Sequence, residues 1–315
     1  MAQTAAAELD LVDIDRKRPN RFLSFGLRLM REKPLGFVGA VVIVIFFLMA
    51  VLTPVIAPDD PNALGQLSNR LQSPSLSHPF GTDNLSRDVF TRVVHGARVS
   101  VTIGFIAVFF STILSVSIGV ITGYFGGWFD MISQRFVDAF IAFPGLVFLV
   151  VVIAIFGDVD IPGLNKQGLA STPVFVMVAT LGILGGVSQS RVIRSAALSV
   201  KATTYIDAAR STGASDARIV WFHVLPNVMA PVITLATLGL GGIILAEATL
   251  SFLGIGVPPD VPTWGGMLNR EARTYMSQGY WWLVFPGVAI SLVVFGFNIL
   301  GDALRDLLDP RLRTQ

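Results

Sequence analysis

Six long apolar runs, separated by polar segments, restrict most strongly how this chain can fold. The runs are Leu35 to about Ile56, Val99 to about Gly123, Met131 to about Phe156, Pro173 to about Val187, Val228 to Leu253, and Trp281 to about Leu300. An α-helix of about 20 apolar residues crosses a bilayer core and satisfies all its backbone hydrogen bonds internally. The sequence therefore predicts an all-α polytopic membrane protein with six transmembrane helices.

The composition agrees with a membrane protein and excludes several other classes. Hydrophobic residues make up 53% of the 315 residues, charged residues only 14%, and mean hydropathy is +0.68. The chain has no cysteine, which excludes disulfides and thiolate metal sites. A net charge of +2 gives no reason to expect a nucleic-acid partner.

The pattern of runs divides the chain into five parts. We predict a cytoplasmic N-terminal tail (1–33), a first transmembrane anchor helix (34–56), an extracytoplasmic loop (57–97), a core domain with five transmembrane helices (98–304) and a cytoplasmic C-terminal tail (305–315). The first apolar run begins behind a long charged tail, so we interpret it as a retained anchor rather than a cleaved signal peptide. Membrane lipid is the one partner that composition alone implies.

Basic residues predict the orientation. Seven of the 23 lysines and arginines fall in segments predicted to be outside, and the other sixteen fall inside. The seven are Arg70, Arg87, Arg92, Arg98, Lys166, Arg270 and Arg273. The positive-inside rule then places both termini in the cytoplasm.

A polar interval, Lys201 to Asn227, lies inside the core domain on the same side as the termini. Thr204 is predicted to cap a short helix, with Asp207 completing a capping box, and Gly213 to end it in the left-handed conformation. Ser215 and Asp216 then begin a second helix. That helix is predicted to end or bend near Leu225 and Pro226, because proline lacks the backbone donor.

One face of the first short helix carries little side-chain bulk. Ala208 and Ala209 leave room for the backbone or a groove of another protein to approach closely. An ordinary surface hairpin is the alternative interpretation.

Several polar side chains lie within the apolar runs. Glu247 at such a depth costs about 2.5 kcal/mol or more, so it should face protein or water. It is either a gate or cavity residue, near Ser251, or a buried carboxylate bonded to a neighbouring helix. Ser111 and Ser115 either pack against neighbouring helices or line a translocation path.

The third run combines a charged pair with a proline. Asp138 shares a helix face with Arg135, and the two can neutralise each other. Pro144 predicts a kink within this span.

Sequence signals for catalysis are missing. A phosphate-binding loop needs a lysine after glycine, and none of the four lysines follows one. The chain also lacks HExxH and GxSxG patterns. We therefore expect no catalytic residues and no cofactor or metal. The spacing of His78, Asp83 and Asp88 does not enforce metal-ligand geometry.

Short strings along the chain resemble a known family. Asp207-Ala208-Ala209, Gly213, Ile219 and Leu225-Pro226 resemble the EAA loop of ABC importer permeases, with Asp207 where the family usually has Glu. The strings starting at His78, Glu247 and Gly301 resemble the dipeptide, oligopeptide and nickel branch, second-permease type. The resemblance covers roughly Arg31 to Arg313.

This resemblance implies a type I importer permease fold with cytoplasmic coupling helices, in the bacterial inner membrane. It implies three kinds of protein partner: a second homologous permease subunit, one or two ABC ATPase subunits that bind ATP and Mg, and an extracytoplasmic solute-binding protein. The EAA-like residues would contact the ATPase.

The expected function is to form part of the translocation path for di- or oligopeptides. A nickel or other small-solute importer is one alternative. A secondary transporter that uses Glu247 and Asp138 as an ion path is another, and a non-transporting assembly or receptor subunit is a third.

Overall fold

The chain folds into helices joined by loops. A computed structural model describes residues 21–164, 168–269, 272 and 274–308. The helices are α1 (Arg21–Glu32), α2 (Pro34–Val51), α3 (Val89–Phe125), α4 (Gly127–Ala142), α5 (Gly145–Phe156), α6 (Thr172–Lys201), α7 (Thr204–Ser211), α8 (Asp216–Phe252), α9 (Trp264–Met267) and α10 (Trp281–Leu308). Short helical turns occupy Thr53–Ile56 and Leu67–Asn69. The described residues contain no β-strand, and the predicted all-α membrane fold is confirmed.

In the part of the chain that the structure describes, five helices are long and apolar enough to cross a membrane. They are α2, α3, α6, α8 and α10, and α4 with α5 makes a sixth span if the bent pair is counted as one. The single kinked third helix predicted around Pro144 is wrong, since α4 and α5 meet at 87°. Phe143 is extended, with φ −81° and ψ 136°, because the ring of a following proline disfavours the helical conformation.

Several helices are longer than the apolar runs that predicted them. Helix α3 begins ten residues before Val99, because Asp88 caps it by accepting a hydrogen bond from the Thr91 amide at 2.7 Å. Helix α6 continues past Val187, and α10 continues past Leu300. Polar flanks thus extend the helices beyond the apolar segments.

Some sequence predictions lie outside the described residues. These are most of the N-terminal tail with Arg16, Lys17 and Arg18, the outer basic residues Lys166, Arg270 and Arg273, and the C-terminal residues from Asp309, with Arg311 and Arg313.

Helices α3 and α6 run parallel and form the most extensive helix–helix contact among the described residues. A Cβ atom placed on Gly119 would lie 2.7 Å from both Cβ of Ile193 and the carbonyl oxygen of Ser190. One on Gly123 would lie 2.7 Å from the carbonyl oxygen of Arg194. Glycine at these positions lets the two backbones approach, as small residues do between membrane helices.

The contacts also show which segments share an end of the bundle. Lys33, before α2, forms an ion pair with Asp306 in α10 at 2.5 Å. Helix α8 is antiparallel to both α3 and α10, so its first residues lie at this same end. The start of α2 and the end of α10 therefore share one end of the bundle with the Lys201–Asn227 interval.

Three loops meet at the opposite end. Arg92 donates from Nη1 to the Pro61 carbonyl and to Oδ1 of Asn62, each at 3.1 Å. Asn62 in turn donates to the carbonyl of Asp260 at 2.6 Å, and the Asp260 side chain accepts from the Gly168 amide at 3.1 Å. These hydrogen bonds join the loops that follow α2, α5 and α8.

Candidate functional site

The end of α6 is followed by a hairpin, defined here as residues 202–227. It comprises α7, the turn after it and the first residues of α8. In its first helix, α7, the N-cap position is occupied by Thr203 rather than Thr204. The predicted capping box is wrong, because the Thr203 hydroxyl donates back to the carbonyl of Val200 at 2.6 Å and makes no cap to α7. The Val200 carbonyl, at the end of α6, binds this hydroxyl, which therefore does not cap the amides at the start of α7.

The end of α7 follows the prediction. Gly213 has φ +84°, and its amide donates to the carbonyl of Arg210 at 2.9 Å. The Ala214 amide donates to the carbonyl of Ala209 at 3.0 Å. This pair of bonds is a Schellman motif, whose left-handed residue is usually glycine. The predicted role of Gly213 as the C-cap is confirmed.

The second helix starts where predicted but does not stop at the proline. The Ser215 side chain accepts from the amide of Arg218 at 3.4 Å. The helix then passes through a π-helical turn, Val220–Val224, and continues as α8. Leu225 donates to the carbonyl of Val220, five residues back, and the Asn227 side chain donates to the carbonyl of His223 at 2.7 Å.

The prediction was that the helix ends or bends near Pro226. An end at this position is wrong, because the helix continues. The π turn just before Pro226 accommodates one additional residue, and the chain continues through the proline as a helix.

The inner side of the hairpin is a small hydrophobic core. Ile206, Ile219, Val224 and Val228 are fully buried against residues of α3 and α6, including Ile193. Ile219 was expected to face an ATPase. Ile219 instead lies in the buried core that holds the hairpin on the bundle, and its part in coupling to an ATPase stays a prediction.

The outer side carries the other EAA-like residues. Asp207, Ala208, Gly213 and Pro226 are exposed, whereas Ala209 and Leu225 are half-buried. The carboxylate of Asp207 is 73% exposed, and its ion pair with Arg210 is long at 3.9 Å. This face is therefore free to meet another molecule.

Tyr124, at the end of α3, anchors the hairpin. Its hydroxyl donates to Oδ1 of Asp216 at 2.6 Å. Lys201 Nζ and Arg210 Cζ lie over its ring at 5.8 and 5.5 Å from the centroid, distances at which cations are attracted to aromatic faces. Hydrogen bonding with Tyr124 is the largest effect raising the pKa of Arg210, so its guanidinium stays charged. Nothing in the sequence pattern predicted this role for Tyr124.

Glu247 lies near the other end of α8 and is 1% exposed. Oε2 accepts from the Ser100 hydroxyl of α3 at 3.0 Å, and Oε1 accepts from Ser251 at 2.8 Å. The Thr263 hydroxyl is a third partner, and its oxygen accepts from the Gly266 amide at 3.0 Å. In this chain Glu247 has the geometry of a carboxylate bonded to a neighbouring helix. Its gate role stays a prediction.

The two serines of α3 lie in helix packing. Ser111 Oγ would be 2.7 Å from a Cβ on Gly185, and it has no hydrogen-bond partner within the described ranges. Ser115 donates to the carbonyl of Thr112 in its own helix at 3.0 Å. Both are buried between α3 and α6, so the packing interpretation describes their surroundings in this chain.

Asp138 pairs mainly with a residue that sequence reasoning did not consider. It accepts from Arg191 of α6, whereas Arg135 Nη1 is 3.7 Å away and is 80% exposed. A second aspartate of α4, Asp130, accepts from Arg194 Nε at 2.6 Å. Two ion pairs thus fix α4 on α6, and an ion path through Asp138 stays a prediction.

The loop residues considered for a metal site are engaged with each other and with the backbone. His78 Nδ1 lies 3.0 Å from Asp88 Oδ1, and the buried Asp83 accepts from Arg87 Nε at 2.6 Å. The described part of the chain contains no group of three His, Cys, Asp or Glu residues arranged to hold a metal ion.

Comparison with known proteins agrees with this architecture. Residues 115–314 match the family described as binding-protein-dependent transport system inner membrane component. Residues 26–74 match the N-terminal TM domain of oligopeptide transport permease C. The chain belongs to the family of inner-membrane components of binding-protein-dependent transport systems, the ABC importer permeases.

Individual relatives narrow the class further. The dipeptide transport system permease protein DppC of Alkalihalophilus pseudofirmus is 39% identical over 285 residues, 90% of this chain and 88% of the relative. A putative peptide transport system permease protein of Brucella suis is 40% identical over 91% of each chain. The glutathione transport system permease protein GsiD of Escherichia coli is 36% identical over 91% of this chain and 89% of its own. The chain is thus similar to peptide-type permeases, of the second-permease type.

Proposed function

We propose that this chain is the membrane-spanning permease subunit of an ATP-driven importer of di- or oligopeptides. The relatives named for dipeptide, peptide and glutathione transport support this substrate class. The chain is non-catalytic, and ATP with Mg binds to ATPase subunits. Its other partners are a second homologous permease and an extracytoplasmic solute-binding protein.

The hairpin is the observation that carries the coupling proposal. Its inner side is fixed to α3, α6 and α8 by a buried core and by Tyr124, while Asp207 and Ala208 face outward. A short helix held rigidly on one side and bare on the other can transmit a push from a docked ATPase to the transmembrane helices. Gly213 fixes the angle between its two arms.

The same geometry supports a cytoplasmic location for the hairpin and both termini. The start of α2 and the end of α10 share one end of the bundle with the hairpin. Placing this end in the cytoplasm satisfies the positive-inside rule and brings the hairpin to the ATP side. The membrane is the bacterial inner membrane.

Reconstituted uptake tests the coupling role. The four-component importer is assembled in vesicles with wild-type chain, Gly213→Pro or Asp207→Arg, and ATP-dependent uptake of a labelled dipeptide is measured. Proline cannot adopt a positive φ and removes the amide bond to Arg210, while arginine reverses the charge of the exposed carboxylate. Both variants should lose most uptake.

Matched controls come from the opposite end of the bundle. Gly163→Pro changes another glycine of positive φ, +89°, with nothing nearby, and Asp158→Arg changes another exposed aspartate. Both should import normally. Unchanged uptake in both hairpin variants would exclude the coupling role, and uptake by the chain without any ATPase would favour an ion-coupled carrier.

The substrate is tested separately by competition. Unlabelled dipeptides, longer peptides, glutathione and a nickel complex are added in excess to the wild-type uptake assay. Competition by peptides supports the proposed class. Competition by the nickel complex alone would favour the alternative function, a nickel importer.

A further inference from the structure

A groove runs between the end of α2 and the middle part of α3, at the bundle end opposite the hairpin. Its volume is about 440 Å³, and its walls are mostly apolar. Phe47 and Val51 line it from α2, and Thr102, Phe105 and Ile106 line it from α3. One charged residue, Arg98, also lines it.

Helix geometry explains the shape of the groove. The residues named from each helix are adjacent or lie three, four, seven or eight positions apart, so they form one stripe along their helix. Phe47 and Phe105 meet edge to face across the groove, with ring centroids 6.2 Å apart, and mark its deep end. Arg98 lies nearly two turns of α3 away, toward the loops.

The position of Arg98 is at the outer boundary of the apolar region. One turn before it, the Val94 carbonyl accepts from Thr53 at the end of α2, at 3.5 Å. Beyond that level the polar loops begin. An arginine here can extend its guanidinium to the headgroup region while its stem stays among apolar neighbours.

Arg98 differs from the arginines that are held in ion pairs. Arg87, Arg191 and Arg194 are each bonded to an aspartate. Arg98 is exposed and forms no ion pair with any carboxylate in the described ranges. Its charge is therefore available to an anion supplied from outside the chain.

We propose that this groove is a binding site for one phospholipid of the outer leaflet. The lipid phosphate pairs with the Arg98 guanidinium, which matches phosphate geometry with two parallel donors. One acyl chain lies along the groove toward Phe47 and Phe105. A phospholipid presents phosphate and hydrocarbon in this order from the boundary inward, and the unneutralised charge favours an anionic headgroup.

Lipid retention by the assembled importer tests the site. The complex is purified from vesicles of phosphatidylglycerol and phosphatidylethanolamine, and bound lipid is counted by native mass spectrometry. The wild type should retain one phosphatidylglycerol per chain. Arg98→Gln should lower its retention about tenfold, as for loss of one charge-assisted hydrogen-bonded pair, and Arg98→Lys should restore most of it.

A second variant keeps the charge and fills the groove. Thr102→Trp should also exclude the lipid, because the indole occupies the space of the acyl chain. Arg135→Gln is the control, since it removes an equally exposed charge elsewhere. Thermal unfolding of each complex identifies variants that fail to fold.

Three results would overturn the proposal. The first is retention that is unaffected by Arg98→Gln and Thr102→Trp in folded complexes. The second is an equal loss in Arg135→Gln. The third is a wild-type complex that retains no lipid, together with an Arg98→Gln complex that loses the second permease. Such a pair of results would mean that protein, and not lipid, covers the groove.

Discussion

Replacement of Glu247 measures what its buried cluster contributes. The carboxylate accepts hydrogen bonds from Ser100, Ser251 and Thr263, and Ser100 belongs to a different helix. A hydrogen bond of this kind contributes about 0.6–1 kcal/mol net between membrane helices. Glu247→Ala loses three of them, or about 2–3 kcal/mol.

The alanine variant also leaves a cavity, because Glu247 is fully buried. Deleting a buried side chain of this size adds about 1–2 kcal/mol when the surroundings relax in part. The expected loss of stability is therefore about 3–5 kcal/mol. Glu247→Gln keeps the shape and one accepting oxygen, so its expected loss is about 1 kcal/mol.

Denaturant unfolding of the purified importer in nanodiscs gives these values, and uptake is measured on the same preparations. Ser251→Ala, which removes one of the three bonds, should lie close to the glutamine variant. Stability equal to wild type in all three variants would refute the reasoning from the cluster. If stability is kept and uptake is lost in Glu247→Gln, the gate interpretation is the better one.

Two further predictions concern the helix contacts and the hairpin. Gly119→Ala should destabilise the complex by about 1–3 kcal/mol through overpacking against Ser190 and Ile193, whereas Gly242→Ala, with nothing within 4 Å, should be neutral or slightly stabilising in thermal unfolding. A loss of stability that is equal in both would contradict the close approach of α3 and α6. Tyr124→Phe removes the bond to Asp216 and should speed tryptic cleavage in the hairpin severalfold, while Tyr205→Phe should not. Unchanged cleavage rates would show that Tyr124 does not anchor the hairpin.

The apolar runs predicted the spans because membrane insertion depends on composition, which a sequence displays directly. Helix ends were harder, because they depend on caps and contacts formed only in the fold. Asp88 starts α3 well before the apolar run, and Thr203 gives its hydroxyl to α6. The 87° bend at Pro144 exceeds a kink, since both Phe143 and Pro144 leave the helical conformation.

The candidate site was predictable in its local geometry and less so in its burial. The left-handed turn at Gly213 could be predicted from the residue type alone, because glycine adopts a positive φ at little cost. The burial of Ile219 and the pairing of Asp138 with Arg191 depend on which helices become neighbours. Spacing along one helix predicted only the weaker contact of Asp138 with Arg135.

Helix α8 runs without a break from the hairpin to the Glu247 cluster. Its length therefore enlarges a small tilt at one end into a larger displacement at the other. Ile219 and Glu247 are 28 residues apart in it, which at about 1.5 Å per residue is about 42 Å. A tilt of about 5° at the hairpin would displace the far end by nearly 4 Å. That is longer than the 3.0 Å bond between Ser100 and Glu247, so a small rotation at one surface can make or break a contact at the other.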